Sequence, residues 1–553
     1  MTQQTPPTSP FASIPIPPFL LLSLAILLLL LLLLLIYLYK TLYHNPLSSI
    51  PPAHWSAPYS RAWILWVRFS RRENEILKEV HGRLRSSVIR VAPWEVSVCG
   101  LEGVRGVYSS RDGGWGKGGW YGVFDNFGVP CMFSSRSSAD HSARKRLLSH
   151  VYSKSYIQSS SAARAQAAEI IYKRLLPALE AEGGISRDGE PTEGVGVDIY
   201  SVFMAATMDF IAAYIFGLDG GTEFLRDKAY RNHFFELYKA RNDYGIYDQE
   251  LPWLTAFCRR IGVPLCPAWV DDANKELGEW CLRLCRAKRD RDSGSEKAGR
   301  KPGDESVVWD AVVNGLEKEE TVNGRNSVLY PTALANKELS VASELFDHVL
   351  AGQETAGLVL TYLSWRLSLS LELQGKLRTE LLGLRPGMRL SETGMPDPKQ
   401  LDGLPLLHAV LMETLRLHAP IPGAQPRQSP EAGSRIGPYE IPGGVRVAAM
   451  AYTLHRDETV FPDPERWDYT RWLAEYATEE EIKTRNRQFW AFSSGGRMCV
   501  GSNFAMHEMK LIIAALYSNF RSYIVDDEGV ARQSDGYTGR PEKERLYLRF
   551  EVV

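Results

Sequence analysis

Phe492-Ser493-Ser494-Gly495-Gly496-Arg497-Met498-Cys499-Val500-Gly501 is the stretch on which the reading of this 553-residue chain turns. It satisfies Phe-x-x-Gly-x-Arg-x-Cys-x-Gly at every fixed position. Gly495 and Gly501 let backbone approach a flat partner closely and turn amide N–H groups toward a sulfur. Arg497 offers a forked donor to an anionic group. The other cysteines, Cys99, Cys131, Cys258, Cys266, Cys281 and Cys285, are scattered and form no paired CxxC arrangement, so they read as small buried hydrophobes in a reducing compartment.

Working upstream, Glu413-Thr414-Leu415-Arg416 places two opposite charges three residues apart on one helix face. The bland reading is an exposed ion pair of little energetic weight. Further upstream, Leu345, Val349, Gly352, Ala356, Val359 and Leu363 recur at helical spacing, which predicts a buried helix from about Glu344 to Leu371. Inside it lies Ala351-Gly352-Gln353-Glu354-Thr355. A mid-helix glycine costs about 1 kcal/mol against alanine, and a buried carboxylate more unless it is used.

Together these three segments resemble the cytochrome P450 family. The resemblance implies a mainly α fold with a minor β region, and haem b held by Cys499 as axial ligand to the iron. A thiolate pushes electron density onto haem iron and favours O–O cleavage. By the same resemblance Phe492, Gly495, Arg497 and Gly501 belong to the haem-binding loop, with Arg497 suited to a propionate. Ala351 and Gly352 would open a groove for dioxygen on the distal face. Thr355 would hydrogen-bond the iron-bound peroxide, and Glu354 would connect it to a proton supply. Glu413 and Arg416 match a structural pair that the family completes with a further arginine. Arg471, in Tyr469-Thr470-Arg471-Trp472, is the candidate, with Arg466 as the alternative. Two more segments fit propionates: Arg427, closing Pro422 to Arg427, and the run from Asp140 to Arg146. In that run His141 is followed by Arg144, Lys145 and Arg146, which leaves the binding cation open and a basic surface patch as the alternative.

The remainder of the chain agrees with one large haem domain on a membrane tether. Its 64 basic and 65 acidic residues give a net charge of −1 and no electrostatic case for nucleic acid. No charged side chain precedes Lys40, and Phe19 to Tyr39 is an apolar run long enough to span a bilayer. Lys40, Arg61, Arg68, Arg71 and Arg72 put the globular body in the cytosol, and the resemblance points to the endoplasmic reticulum membrane, crossed once. We divide the chain into a Pro-rich disordered segment (1–18), the anchor (19–39), a Pro-containing linker (40–60) and the haem domain (61–553). Residues 88–98 predict two short strands around Pro93, and 113–133 an irregular Gly/Trp-rich loop. Val197 to Phe216 predicts a buried helix, because Asp198 and Asp209 make it a poor membrane span. Residues 289–304 and 385–401 predict connectors, and 439–449 a hairpin-like alternation about Pro442-Gly443-Gly444.

The resemblance extends to membrane-anchored fungal enzymes of secondary-metabolite pathways, and it implies a monooxygenase that inserts one oxygen atom from dioxygen into a hydrophobic small molecule. A fatty-acid, aromatic-acid or xenobiotic hydroxylase is the competing assignment, and a haem-thiolate isomerase or dehydratase, or a non-catalytic haem-binding membrane protein, the more distant ones. No flavin or nicotinamide motif is present in the sequence. Electrons are therefore expected from NADPH through a separate NADPH-cytochrome P450 reductase, with cytochrome b5 as a further partner. The loop from Trp115 to Phe133, the residues before Ala351, Ile421 to Ala424 and the loop around Tyr537 are the family-like pocket positions.

Overall fold

The computed structural model describes residues 18–43, 45–108, 115–182, 185–186, 196–293, 300–391 and 394–553. All but residue 18 of the expected Pro-rich N-terminal segment, positions 113–114 of the Gly/Trp-rich loop, and positions 294–299 and 392–393 of the two connectors lie outside the described residues.

The helices that bear on the site are α1 (Pro18–Tyr43), α2 (Ala62–Phe69), α3 (Ser138–Leu148), α4 (Ile199–Phe216), α5 (Lys228–Asp243), α6 (Lys337–Ser368), α7 (Pro405–Leu417) and α8 (Ser502–Asn519). The strands are β1 (Val88–Ala92), β2 (Glu95–Val98), β3 (Ile185–Ser186), β4 (Val197–Asp198), β5 (Ala424–Gln428), β6 (Ser434–Ile436), β7 (Tyr439–Ile441), β8 (Arg446–Met450), β9 (Phe520–Asp526) and β10 (Tyr547–Val552). The fold is mainly α with a minor β region: 60% of residues are helical and 9% are in strands.

Helix α1 touches the body near its C-terminal end, where the Tyr37 hydroxyl donates to Tyr59 O at 2.6 Å. Its segment Phe19–Lys40 is long and apolar enough to cross a membrane, and none of it is buried. The proline spacer beyond it is stiffened by tertiary contacts as well as by its rings. Leu47 and Ile50 are buried, the Arg90 N–H donates to Pro51 O at 2.9 Å, and the Ala53 N–H returns a bond to Arg90 O at 2.8 Å. Helix α4 passes the same length test but is almost wholly buried. Its Asp209 accepts bonds from Thr222 Oγ1 (2.7 Å) and Phe224 N (2.8 Å), so the carboxylate is satisfied inside protein.

Helix α6 is the spine of the molecule, and 23 of its 32 residues are buried. It starts at Lys337, earlier than its apolar period suggests, because the Asn336 side chain accepts from Leu339 N and caps it. It stops at Ser368 because the Ser370 side chain caps a new helix from Leu371. The first connector is also shorter than expected: Arg289 to Ser293 continue the helix Ala268–Ser293, held by a Lys288–Asp292 ion pair at 3.0 Å.

One sheet has the order β1-β2-β8-β5, with β2 parallel and β5 antiparallel to β8. A second has the path β3-β10-β4, with β9 also on β10, and β6 and β7 form a separate pair. The expected hairpin of residues 439–449 is therefore not formed. Strand β7 pairs back with β6, and β8 leaves for the larger sheet. The Pro442-Gly443-Gly444 link packs against Glu431 instead of closing a tight turn: a Cβ on Gly443 would meet Glu431 O at 2.5 Å. Alternation alone could not name the partner strand.

Candidate functional site

Cys499 sits three residues ahead of α8 on a tight loop whose Cys499 N–H donates to Phe492 O at 2.9 Å. The turn requires left-handed backbone at Gly495, where φ is 72°, a conformation that suits glycine. The start of α8 then presents its free amides to the sulfur. Burial pushes the Cys499 thiol up, while the N–H groups of Gly501 and Ser502 and the Lys145 ammonium favour the thiolate. The cysteine residue is nevertheless solvent-accessible.

Helix α6 carries the other candidate groups. In the middle of this buried helix Ala351 is exposed, and Gly352 and Thr355 are half-buried. Asp347, one turn before Ala351, is close enough to act on the Cys499 thiol. The Thr355 hydroxyl donates to Ala351 O at 2.8 Å. Glu354 is buried, with Oε2 accepting from Tyr238 Oη at 2.9 Å on α5 and Oε1 accepting from Arg540 Nε. Gly352 has a packing reason of its own: a Cβ there would stand 2.7 Å from Ile211 Cγ1 on α4. The glycine lets two core helices cross closely.

Basic groups gather beside the cysteine loop. Lys117, His141 and Arg427 are buried. Lys117 Nζ donates to Phe133 O and lies 4.0 and 3.8 Å from the Tyr121 and Phe133 ring centroids. Arg427 Nη1 donates to Tyr121 Oη at 3.0 Å. Arg497 donates to Ser135 O (2.7 Å) and Arg136 O (2.9 Å), and its Nε is buried without a partner. Among the described residues none of Lys117, Arg427 or Arg497 has a carboxylate within ion-pair distance. Burial, then repulsion by Arg427 and Arg497, holds the Lys117 ammonium well below its ordinary range. Burial and Arg427 lower Arg497 to about 10. Burial, together with Arg497, Lys117, Lys145 and Arg427 in that order, lowers His141 to about 3. Unbalanced buried positive charge is what two propionates would neutralise, so the donor set fits the haem that the resemblance implies.

The three neighbouring cations on α3 separate clearly. Arg144 turns away, pairing with Asp140 (3.3 Å) and Glu344 (3.7 Å) and donating to Thr332 Oγ1. Because those carboxylates hold it, it lies outside the basic cluster. Lys145 Nζ instead donates to Gly496 O (3.0 Å) and Met498 O (3.3 Å) of the cysteine loop. Arg146 is exposed. Lys117 was not singled out from sequence, since a lysine in a glycine-rich loop carries no periodic signal. The same holds for Arg540 and Tyr238, whose link to Glu354 spans 186 and 116 residues of chain.

Glu413 and Arg416 are fully buried, not a surface pair. Arg416 donates from Nε to Oε2 (2.9 Å) and from Nη2 to Oε1 (2.8 Å). The carboxylate also accepts from Asp468 N (2.8 Å) and Trp472 Nε1 (2.9 Å), with Arg471 Nε at 3.5 Å. Arg466 contributes only its backbone, Arg466 O accepting from Arg416 Nη2 at 3.0 Å.

The pocket segments named from sequence meet around a cavity of about 1180 Å³, whose walls include Trp120, Phe124, Phe346, Gly423 and Tyr537. Thr355 and Cys499 are not on these walls.

The sequence model of the family described as Cytochrome P450 matches residues 310–546. Among curated relatives, "Cytochrome P450 monooxygenase avaI" of Aspergillus versicolor is 28% identical over 444 residues, covering 77% of this chain and 93% of the relative. "Cytochrome P450 monooxygenase aflV" of Aspergillus parasiticus is 25% identical, covering 86% and 85%. "Cytochrome P450 monooxygenase FGM1" of Gibberella zeae is 25% identical, covering 84% and 85%. The cysteine loop, the partly exposed turn of α6, the cation cluster beside the loop and these matches lead to one conclusion: residues 310–546 carry a cytochrome P450 domain, the chain is similar over most of its length to fungal cytochrome P450 monooxygenases, and it is an oxidoreductase of the monooxygenase type.

Proposed function

We propose that this chain is a membrane-anchored haem-thiolate monooxygenase acting on a hydrophobic small molecule in a fungal secondary-metabolite pathway. One arrangement supports the reading above all: an accessible cysteine just ahead of α8 lies within electrostatic reach of Asp347 on α6, and the partly exposed Ala351, Gly352 and Thr355 follow on the next two turns of that helix. Haem, when bound, supplies activation of dioxygen and transfer of one oxygen atom to the substrate.

The chain's own residues do the rest. Cys499 would hold the haem iron through its sulfur, and the N–H groups of Gly501 and Ser502 and the Lys145 ammonium favour the thiolate against the burial that pushes the thiol up. Lys117, His141, Arg427, Arg497 and Lys145 would hold the propionates by charge-assisted hydrogen bonds. The Thr355 hydroxyl donates to Ala351 O in this structure and would turn that hydrogen toward the site for proton delivery, with Glu354 resupplying the proton by way of water. Arg540 and Tyr238 fix both oxygens of that carboxylate. Glu413, Arg416 and Arg471 hold the core behind the cysteine loop. Electrons reach the site from NADPH through a separate reductase, with cytochrome b5 as a second donor. Helix α1 fastens the body to the endoplasmic reticulum membrane on its cytosolic side.

The test is a pair of variants in the haem-loaded, full-length protein. Cys499→Ser should lose the red-shifted ferrous–CO Soret band that a thiolate gives. Thr355→Ala should keep that band while hydrogen peroxide rises at the expense of product. An unchanged ratio of peroxide to product in Thr355→Ala would remove the relay from the proposal.

A further inference from the structure

Six arginines stand on the wall of the large cavity: Arg68, Arg71, Arg241, Arg259, Arg446 and Arg540. Five of them hold a carboxylate within ion-pair distance: Arg68 with Glu95, Arg71 with Asp243, Arg259 with Asp248, Arg446 with Glu250 and Arg540 with Glu354. Arg241, on α5, has none among the described residues. Its Nη2 donates to Asn126 Oδ1 at 3.0 Å, a neutral acceptor. The amide of Asn126 is itself fixed, because its Nδ2 donates to Ser343 O at 3.2 Å on α6. The guanidinium carbon lies 5.4 Å from the Phe346 ring centroid.

Burial pushes the Arg241 guanidinium down from its ordinary range, although Tyr238 and Asp347 act in the opposite direction. Asp347 is a carboxylate that acts on it, but it stands beyond ion-pair distance, and burial raises its own carboxyl to about 6. A half-buried, oriented, forked cation with no carboxylate at ion-pair distance among the described residues is costly, and a ligand carboxylate removes that cost with two parallel N–H···O bonds. Beside it, Phe124, Phe346, Trp120 and Tyr537 supply aromatic surface, with Trp120–Tyr537 and Phe124–Tyr537 centroids 5.4 and 5.9 Å apart.

We propose that the substrate is an organic acid: Arg241 receives its carboxylate through the N–H groups not given to Asn126, and the aromatic or aliphatic remainder lies on Phe124, Phe346 and Tyr537. This rests on the haem-thiolate reading above and adds the substrate class to it. Arg241 is then a specificity residue, because a neutral analogue leaves the guanidinium unmatched.

The experiment uses the haem-loaded, full-length protein in lipid nanodiscs and a panel of ω-phenylalkanoic acids of increasing chain length, each beside its methyl ester. Dissociation constants are measured by calorimetry and by the Soret shift. At least one acid should bind about ten- to a hundredfold more tightly than its ester, the range of a charge-assisted hydrogen bond. Arg241→Gln should bring acid and ester within about threefold, and Arg241→Lys should keep part of the preference as a point charge without the fork. Asp347→Asn should strengthen acid binding by removing the competing carboxylate. If no acid in the panel binds better than its ester, or if Arg241→Gln keeps the preference, the assignment is overturned. The ferrous–CO band is recorded on every sample. Loss of the thiolate band in the unsubstituted protein would sink the haem-thiolate reading, whereas an intact band without acid preference sinks only the role of Arg241.

Discussion

Replacing Glu413 by glutamine tests the buried core behind the cysteine loop. Arg416 and Glu413 are both fully buried, so Glu413→Gln keeps the shape and leaves a guanidinium without its counter-charge. Breaking such a pair costs about 3–5 kcal/mol. With an unfolding entropy of about 2.1 cal/mol/K per residue over roughly 500 residues, 1 kcal/mol corresponds to about 1 °C, so the midpoint should fall by about 3–5 °C. Arg416→Met should fall further. Arg416 also donates to the carbonyls of His455 (2.9 Å), Pro464 (2.7 Å) and Arg466 (3.0 Å). Leaving each buried carbonyl unpaired costs about 1–3 kcal/mol more. The double variant Glu413→Gln/Arg416→Met should lie close to Arg416→Met alone, because the stranded charge is gone. Calorimetric scans at one fixed rate, on samples matched for haem content, measure this. A drop of less than 1 °C for Glu413→Gln, or additive effects in the double variant, would refute the view that charge compensation inside α7 holds this part of the core.

Three more outcomes are expected from the geometry. Lys117→Gln should weaken haem retention, read as faster transfer of haem to apomyoglobin, and should let His141 take up a proton above its present value of about 3, since Lys117 is one of the cations depressing it. Gly352→Ala should destabilise by about 1–3 kcal/mol despite its better helix propensity, because the new Cβ collides with Ile211; Ile211→Val should recover part of the loss in thermal unfolding. His81 is buried between Ser86 O (2.7 Å) and Ser97 Oγ (2.9 Å), and burial lowers it to about 4. The unfolded chain therefore binds the proton first, and the stability His81 contributes is present above pH ~6.5 and lost as pH falls toward ~4, about 3 kcal/mol in all. His81→Gln should flatten the pH dependence of the unfolding midpoint across that window; an unchanged slope would contradict it.

The chain order of glycine, arginine and cysteine from Phe492 to Gly501, the apolar period of α6 and the uncharged run before Lys40 already stand in the linear sequence. Each is a local pattern: a turn that needs φ > 0 at Gly495, a 3.6-residue stripe, a span of lipid-compatible length. They carry the fold class, the anchor and the cysteine without knowledge of any contact. Strand pairing was not legible in the same way. Residues 439–449 alternate as a hairpin would, yet β7 joins β6 and β8 joins β2 and β5, because alternation fixes which face is apolar and leaves the partner open.

The electrostatics of the site were decided by tertiary structure alone. Arg144, Lys145 and Arg146 are consecutive and chemically alike, but helical rotation of about 100° per residue sends them in three directions. One meets Asp140 and Glu344, one the cysteine loop, one solvent. Lys117 reaches the basic cluster from a loop, Arg540 meets Glu354 across 186 residues, and among the described residues Arg241 has no carboxylate at ion-pair distance where five other wall arginines have one. Sequence determined which chemistry the protein carries, because that chemistry rests on residue types at short, fixed spacing. Which charges are balanced, and which remain open for a ligand, depends on long-range burial and distance, and only the folded chain sets those.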